Sequence, residues 1–143
     1  MKILILGHKG MLGADLRTRL SAGHEVVGKD IDEIDITNSA ACLDAVEEVK
    51  PDIVINAAAF TDVDGCESNR DRCFAVNALA VENIASACKP QNTPIVHFST
   101  DYIFDGSKGS AYVEDDSPRP LNVYGESKRK GEELLLASSD NVL

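Results

Sequence analysis

The 143-residue chain is 43% hydrophobic and 27% charged, an ordinary globular balance that supports one domain with a sizeable core. Its formal net charge of -10 argues against nucleic acid, whose phosphates need clustered Lys and Arg, but leaves room for a small anion held by backbone amides. No apolar run approaches the roughly 20 residues of a membrane span, and the opening MKILILG is too short for a signal peptide, so no membrane partner and a cytoplasmic location are expected.

Residues 2–6 are an apolar run ending in glycine, which predicts a strand buried on both faces. Residues 7–13 form a glycine-rich turn. Leu12, Leu16 and Leu20 then recur every four residues and predict an amphipathic helix to about Ser21, closed by Gly23. Residues 25–28 predict a second strand, with Asp30 just past its end, and residues 34–36 a third, very short one. Thr37 and Asn38 cap a helix that runs to Lys50 and is stopped by Pro51. Residues 52–56 (DIVIN) predict a buried strand, 57–64 a loop, and 70 to about 89 a helix with Val76, Leu79, Ala80, Ile84 and Ala87 on one face. Residues 95–99 (IVHFS) predict the next strand, 100–120 a long loop, and 121–138 the last helix. This alternation predicts an α/β fold, a parallel sheet with helices on both faces.

Cys42, Cys66, Cys73 and Cys88 form no CxxC pair, and the three histidines share no ligand spacing with them. Reduced thiols on helix faces are expected, with no zinc site, disulfide framework or other metal.

Two motifs carry chemistry. In the first, Gly7-His8-Lys9-Gly10-Met11-Leu12-Gly13 lies between a strand and a helix. Gly7 permits a tight turn, Gly10 lets backbone approach a pyrophosphate, and Gly13 allows close helix packing. The helix N-terminus, with Met11 and Leu12, turns N–H groups toward the phosphates. Asp30 follows Gly7 by 23 residues, near the position where an acid binds a ribose 2′-hydroxyl, which favours NADH over NADPH. Lys29 beside it is suited to pairing with a 2′-phosphate.

In the second motif, Tyr124-Gly125-Glu126-Ser127-Lys128, the Tyr and Lys are four residues apart and share a helix face. An ammonium group near the phenol lowers its pKa, so that the tyrosine can protonate a carbonyl oxygen as hydride reaches the carbon. Lys128 is also suited to holding the nicotinamide ribose. Ser99 and Thr100, at the end of a buried strand, offer a hydroxyl to polarise the same oxygen. From the residues alone, the reading is a nicotinamide-dependent oxidoreductase acting on a carbonyl or alcohol.

The two motifs together resemble those of the extended short-chain dehydrogenase/reductases. Residues 56–67 (NAAAFTDVDGCE), 96–106 (VHFSTDYIFDG) and 120–132 (PLNVYGESKRKGE) are similar to segments of the dTDP-4-dehydrorhamnose reductases within that family. The resemblance spans nearly the whole chain and implies a Rossmann-type doubly wound sheet. It implies reduction of the 4-keto group of a dTDP-6-deoxy sugar by NADH or NADPH, yielding dTDP-L-rhamnose. Carried over by position, Tyr124 is the proton donor, Lys128 its partner and Thr100 the polarising hydroxyl. Gly7, Gly10 and Gly13 contact the cofactor, Asp30 its ribose and Asp35 and Ile36 its adenine, with Ala57, Ala58 and Ala59 beneath it. Phe60 stands where the family commonly has His.

Residues 141–143 read as the start of another strand, and such folds normally continue. The chain is therefore expected to be the N-terminal portion of a longer protein, truncated on its C-terminal side, without the substrate-binding part and with little activity alone. An unpaired sheet edge makes a homodimer an expectation too. Other readings are a nucleotide-sugar epimerase or 4,6-dehydratase of the extended family, or a non-catalytic subunit resembling the regulatory subunit of methionine adenosyltransferase.

Overall fold

The computed structural model describes residues 1–143. Four parallel strands, β1 (Lys2–Leu6), β2 (Glu25–Lys29), β3 (Ile53–Asn56) and β4 (Ile95–His97), lie in the order β2-β1-β3-β4. Parallel pairing requires crossovers, and helices α1 (Met11–Leu20), α2 (Ser39–Val49), α5 (Ala80–Cys88) and α6 (Val123–Ser138) flank the strands. Short helices α3 (Val63–Ser68) and α4 (Arg70–Phe74) precede α5, and a π-helical turn (Ala75–Leu79) joins α4 to it.

The two sheet faces differ. Leu4, Leu6, Val54 and Ile95 project into the larger core, where residues of α2, α5 and α6 cover them. Ile3, Ile5 and Ile55 project to the other side, against Leu16 and Leu20 of α1. β1 therefore buries both faces, as its unbroken apolar run predicts. The parallel doubly wound sheet with helices on both faces is the expected fold. Residues 141–143 continue it: Val142 bridges Ile95 in parallel, and the His97 amide donates to the Leu143 carbonyl at 3.1 Å.

Several predicted boundaries move. Residues 34–36 are not a strand. Ile34 and Ile36 are buried in the larger core, but Asp35 turns back to accept from the Thr37 amide and hydroxyl, and no neighbouring strand pairs there. The strand expected over 95–99 ends at His97, and the last helix starts at Val123, where the Asn122 side chain accepts from the Gly125 amide. The loop expected over 57–64 runs into α3, capped by Asp62.

The helix expected from 70 to 89 is broken by the π-helical turn. The wide turn carries one residue more than an α-helical turn and shifts the register of the residues after it. Leu79, expected on the buried face, is accordingly 54% exposed, while Asn77 is fully buried.

Candidate active site and dinucleotide cleft

The carboxyl ends of β1, β3 and β4 meet at one end of the sheet, where open α/β folds bind ligands. A cleft of about 300 Å³ opens there, lined by Gly7, Gly10, Asp30, Asp35, Ile36, Ala57, Ala58 and Ala59 among others. All eight are residues the sequence assigns to a cofactor.

The glycine turn works largely as its spacing implies. Gly7 sits at φ +79°, and a Cβ there would lie 2.7 Å from the Ala58 nitrogen. A Cβ on Gly13 would lie 2.1 Å from the Gly7 oxygen, so α1 packs directly on the turn. Gly10 is different: a Cβ there would meet only the Gly7 oxygen, at 3.4 Å, and would otherwise project into the cleft. Gly10 starts α1 without a side-chain cap, and the Met11, Leu12 and Gly13 amides have no partner within the protein. These donors, with the open space at Gly10, fit a pyrophosphate. The Met11 side chain is 89% exposed.

Just past β2, the Asp30 carboxylate accepts from the Lys9 amide at 2.7 Å and the Ile31 amide at 2.8 Å. It is thus held by the turn it faces. Lys29, proposed from sequence to meet a 2′-phosphate, instead pairs with Glu48 at 3.0 Å. His8, which the spacing did not mark, is buried beneath the turn and bridges Arg17 and Glu33.

Of the three residues that the sequence proposes as catalytic, Tyr124 and Lys128 lie in the first turns of α6 and Thr100 lies just past β4. The Thr100 hydroxyl lies beside the Tyr124 phenol, and Tyr102 packs edge-on to the Tyr124 ring with centroids 5.6 Å apart. The sequence expectation that Lys128 lowers the Tyr124 pKa is corrected. Burial raises it, and the neighbouring Thr100 hydroxyl opposes that only in part. The reason is where Lys128 points: its Nζ donates to the Phe98 carbonyl at 2.5 Å and lies 3.3 Å from His97 Nε2. Lys128 is buried, and desolvation lowers its pKa from 10.5 to about 8. Of the two hydroxyls proposed to polarise the oxygen, Ser99 donates to Glu132, and Thr100 accepts from the Tyr102 amide at 3.2 Å and donates to Asp101 at 3.3 Å.

Beneath the trio lies a polar layer that sequence reasoning missed. Asn77, aimed inward by the π-helical turn, accepts from the Phe60 amide at 2.8 Å. It donates to the Phe60 carbonyl and to Ser127 Oγ, each at 3.0 Å. Asn56 Nδ2 lies 3.2 Å from His97 Nδ1, and Asn56 Oδ1 accepts from the Ala58 amide. No buried side-chain polar atom lacks a partner. The four cysteines are free and buried on helices, with Cys66 and Cys73 in mutual contact under Tyr124.

The model of one protein family, the RmlD substrate binding domain, matches residues 1–143. The chain is 42% identical, over 96% of its length, to a dTDP-4-dehydrorhamnose reductase from Aggregatibacter actinomycetemcomitans, of which it covers 48%. It is 40% identical, over 94% of its length, to a probable low-salt glycan biosynthesis reductase from Haloferax volcanii, of which it covers 49%. A dTDP-4-dehydrorhamnose reductase from Bacillus anthracis, solved in complex with NADP, superposes at a TM-score of 0.96 with 34% identity, matching 99% of this chain and 50% of that one. The chain thus spans about half the length of the curated relatives it matches.

Proposed function

The chain belongs to the RmlD substrate binding domain family, and from that premise we propose that it is the cofactor-binding and proton-donating half of a nucleotide-sugar reductase. The finer reading is reduction of the 4-keto group of a dTDP-4-dehydro-6-deoxy-L-sugar, yielding dTDP-L-rhamnose. The observation that supports it best is the adjacency of two features. The unpartnered α1 amides directly follow Gly10, which lines the cleft, and a Tyr124–Thr100 pair stands at the same end of the sheet.

A reduced nicotinamide, when bound, supplies hydride to the carbonyl carbon. The chain's own residues do the rest. Gly7, Gly10 and the amides of Met11, Leu12 and Gly13 hold the pyrophosphate, and Asp30 accepts from a ribose hydroxyl. Ala57, Ala58 and Ala59 line the floor. Tyr124 enters with its proton, because burial holds its pKa above the usual tyrosine value, and gives it to the carbonyl oxygen. Thr100 donates a second hydrogen bond to that oxygen. Lys128 holds the nicotinamide ribose, and its pKa near 8 suits proton exchange around neutral pH. The Asp30 carboxylate favours NADH by like-charge repulsion of a 2′-phosphate, although the Bacillus anthracis relative is complexed with NADP.

Fluorescence titration with NADH and NADPH side by side tests the cleft. Saturable binding that Gly10→Val abolishes, tighter for NADH, is the expected result. A folded chain that binds neither nucleotide, or a Gly10→Val variant that binds both normally, overturns the assignment. Tyr124→Phe should keep that binding and lower reduction of a 4-keto nucleotide sugar at least about 100-fold in a protein competent for turnover.

A further inference from the structure

Lys128 begins a chain of four polar groups that runs from α6 through β4 and β3 to the segment just past β3. Lys128 Nζ on α6 meets His97 Nε2 on β4, and His97 Nδ1 meets Asn56 Nδ2 at the end of β3. Asn56 Oδ1 accepts from the Ala58 amide at 3.1 Å, and Ala58 lines the dinucleotide cleft. Lys128 and Asn56 are each 2% exposed, so water has little access to either end of the imidazole's contacts.

The donors and acceptors along this chain constrain one another. The Ala58 amide is a backbone N–H and can only donate, so it fixes Asn56 Oδ1 as the acceptor. Asn56 must then present Nδ2, a donor, to His97 Nδ1. A neutral imidazole carries one N–H, so Nδ1 is the lone pair and Nε2 bears the hydrogen. That hydrogen points at Lys128 Nζ. The arrangement is satisfied when Lys128 is an amine that accepts from Nε2 and donates to the Phe98 carbonyl. An ammonium, which has three donors and no acceptor, would face another donor.

We propose that His97 is a positioning residue for Lys128, exchanging its tautomer with the lysine's protonation state and carrying that state through Asn56 to the Ala58 amide under the cofactor. When Lys128 gains a proton, one proton enters at Nζ and none at the ring. The ring's single proton moves from Nε2 to Nδ1, which frees Nε2 to accept from the ammonium. Asn56 must then offer Oδ1 to Nδ1–H, and it gives up Ala58 in doing so. The floor of the cleft is thereby linked to the charge on the lysine.

The surrounding groups permit this exchange. Desolvation and the neighbouring Lys128 charge push His97 down to about 4, so the ring stays neutral while Lys128 titrates near 8. From α6, Glu132 faces Lys128 and favours its ammonium form. From β3, only the uncharged Asn56 faces the ring. Tyr124, one turn back on α6, and the buried Cys66 beside it both have raised pKa values and remain protonated through this range.

The role assigned to His97 in catalysis rests on the reductase reading, but the linkage can be measured without turnover. Nitrogen-15 correlation spectra of the histidine rings, recorded on the chain from pH 6 to 10 and assigned with His97→Gln, distinguish the two neutral tautomers. The expected result is Nδ1–H at low pH and Nε2–H at high pH, with a midpoint near 8 that Lys128→Met removes. Asn56→Asp, which accepts from both Ala58 N–H and His97 Nδ1–H, should lock the Nδ1–H tautomer and raise the Lys128 midpoint. A single tautomer across the range, or a switch that survives Lys128→Met, overturns the proposal. NADH titration of the same sample separates the two readings. Dinucleotide binding with a fixed tautomer defeats only the linkage, and a clean switch without binding defeats only the cleft.

Discussion

The glycine turn and the Lys128 cluster stand at neighbouring strand ends but are built from different materials. The turn is backbone: Gly7 and Gly13 leave out side chains so that Ala58 and α1 pack against it, and Gly10 leaves open space beside amides that have no partner in the protein. Its parts lie within seven consecutive residues. The Lys128 cluster is side chain, drawn from Asn56, His97 and Lys128 on three separate elements, with Asn77 and Ser127 packed below. A backbone site tolerates changes in residue chemistry but none in volume. A buried polar site tolerates volume changes better than the loss of a partner.

The largest expected effect tests the volume rule. Gly13→Val would force a branched side chain against the Gly7 oxygen, where even a Cβ would sit 2.1 Å away. Neither group can yield, because one is the helix and the other the turn it packs on. We expect a loss of more than about 3 kcal/mol, read as a fall in Tm of more than about 6 °C. A variant that melts with the parent would show that α1 slides freely on the turn.

Next comes the charge in the cluster. The folded pKa of Lys128 is about 8 against an ordinary 10.5, so the unfolded chain holds the extra proton between those values. Stability therefore rises with pH through that window, and the penalty is fully present below pH 8. It amounts to at most about 3 kcal/mol. Lys128→Met removes this pH dependence but leaves the Phe98 carbonyl and His97 Nε2 without their partner, so its stability relative to the parent should fall as pH rises from 8 to 10.5. A difference that stays constant from pH 7 to 10.5 in denaturant titrations would count against a desolvated lysine.

His97 gives a smaller effect on the acid side. Its folded pKa is about 4 against 6.5, so the unfolded chain takes up the proton first and stability falls as pH drops from 6.5 toward 4. The ring is only partly buried, so solvent screening reduces the loss to about 2 kcal/mol. His97→Gln should flatten the stability profile in this window, and an unchanged slope would place the acid sensitivity elsewhere.

The same difference in materials explains what the sequence disclosed. Glycine spacing between an apolar run and a helical period is a local pattern, and Asp30 is found from it by counting. Unbroken apolar runs located β1 and β3, which are buried along nearly their whole length. Ile34 and Ile36 imitated a strand because alternate burial looks alike in a strand and in a turn pinned by Asp35. Leu79 was misplaced because the π-helical turn leaves no trace in composition. Tyr124 and Lys128 could be identified, but the direction of Lys128 could not, since it depends on Phe98 and His97 some thirty residues away. A faint signal was available: β3 and β4 are apolar runs that each end in one polar residue, Asn56 and His97, at the end of the sheet where ligands bind.

The smallest expected effect on stability is the sharpest on function. A Cβ on Gly10 would meet only the Gly7 oxygen, at 3.4 Å, an ordinary contact distance. Its backbone (φ -68°, ψ 164°) is open to any residue, so replacement strains nothing. What Gly10→Ala loses is glycine's tolerance as a helix N-cap, at most about 1 kcal/mol. The new methyl would project into the cleft beside the free α1 amides, into the space a pyrophosphate needs. Melting curves should therefore nearly overlay while nucleotide affinity falls at least about tenfold, roughly 1.4 kcal/mol of binding. Gly13 and Gly10 are three residues apart in one motif, and the measurement separates them: one glycine is required by the protein, the other by its ligand. If Gly10→Ala lost stability and kept affinity, Gly10 would be a folding residue like Gly13, and the phosphates would have to lie elsewhere on the turn.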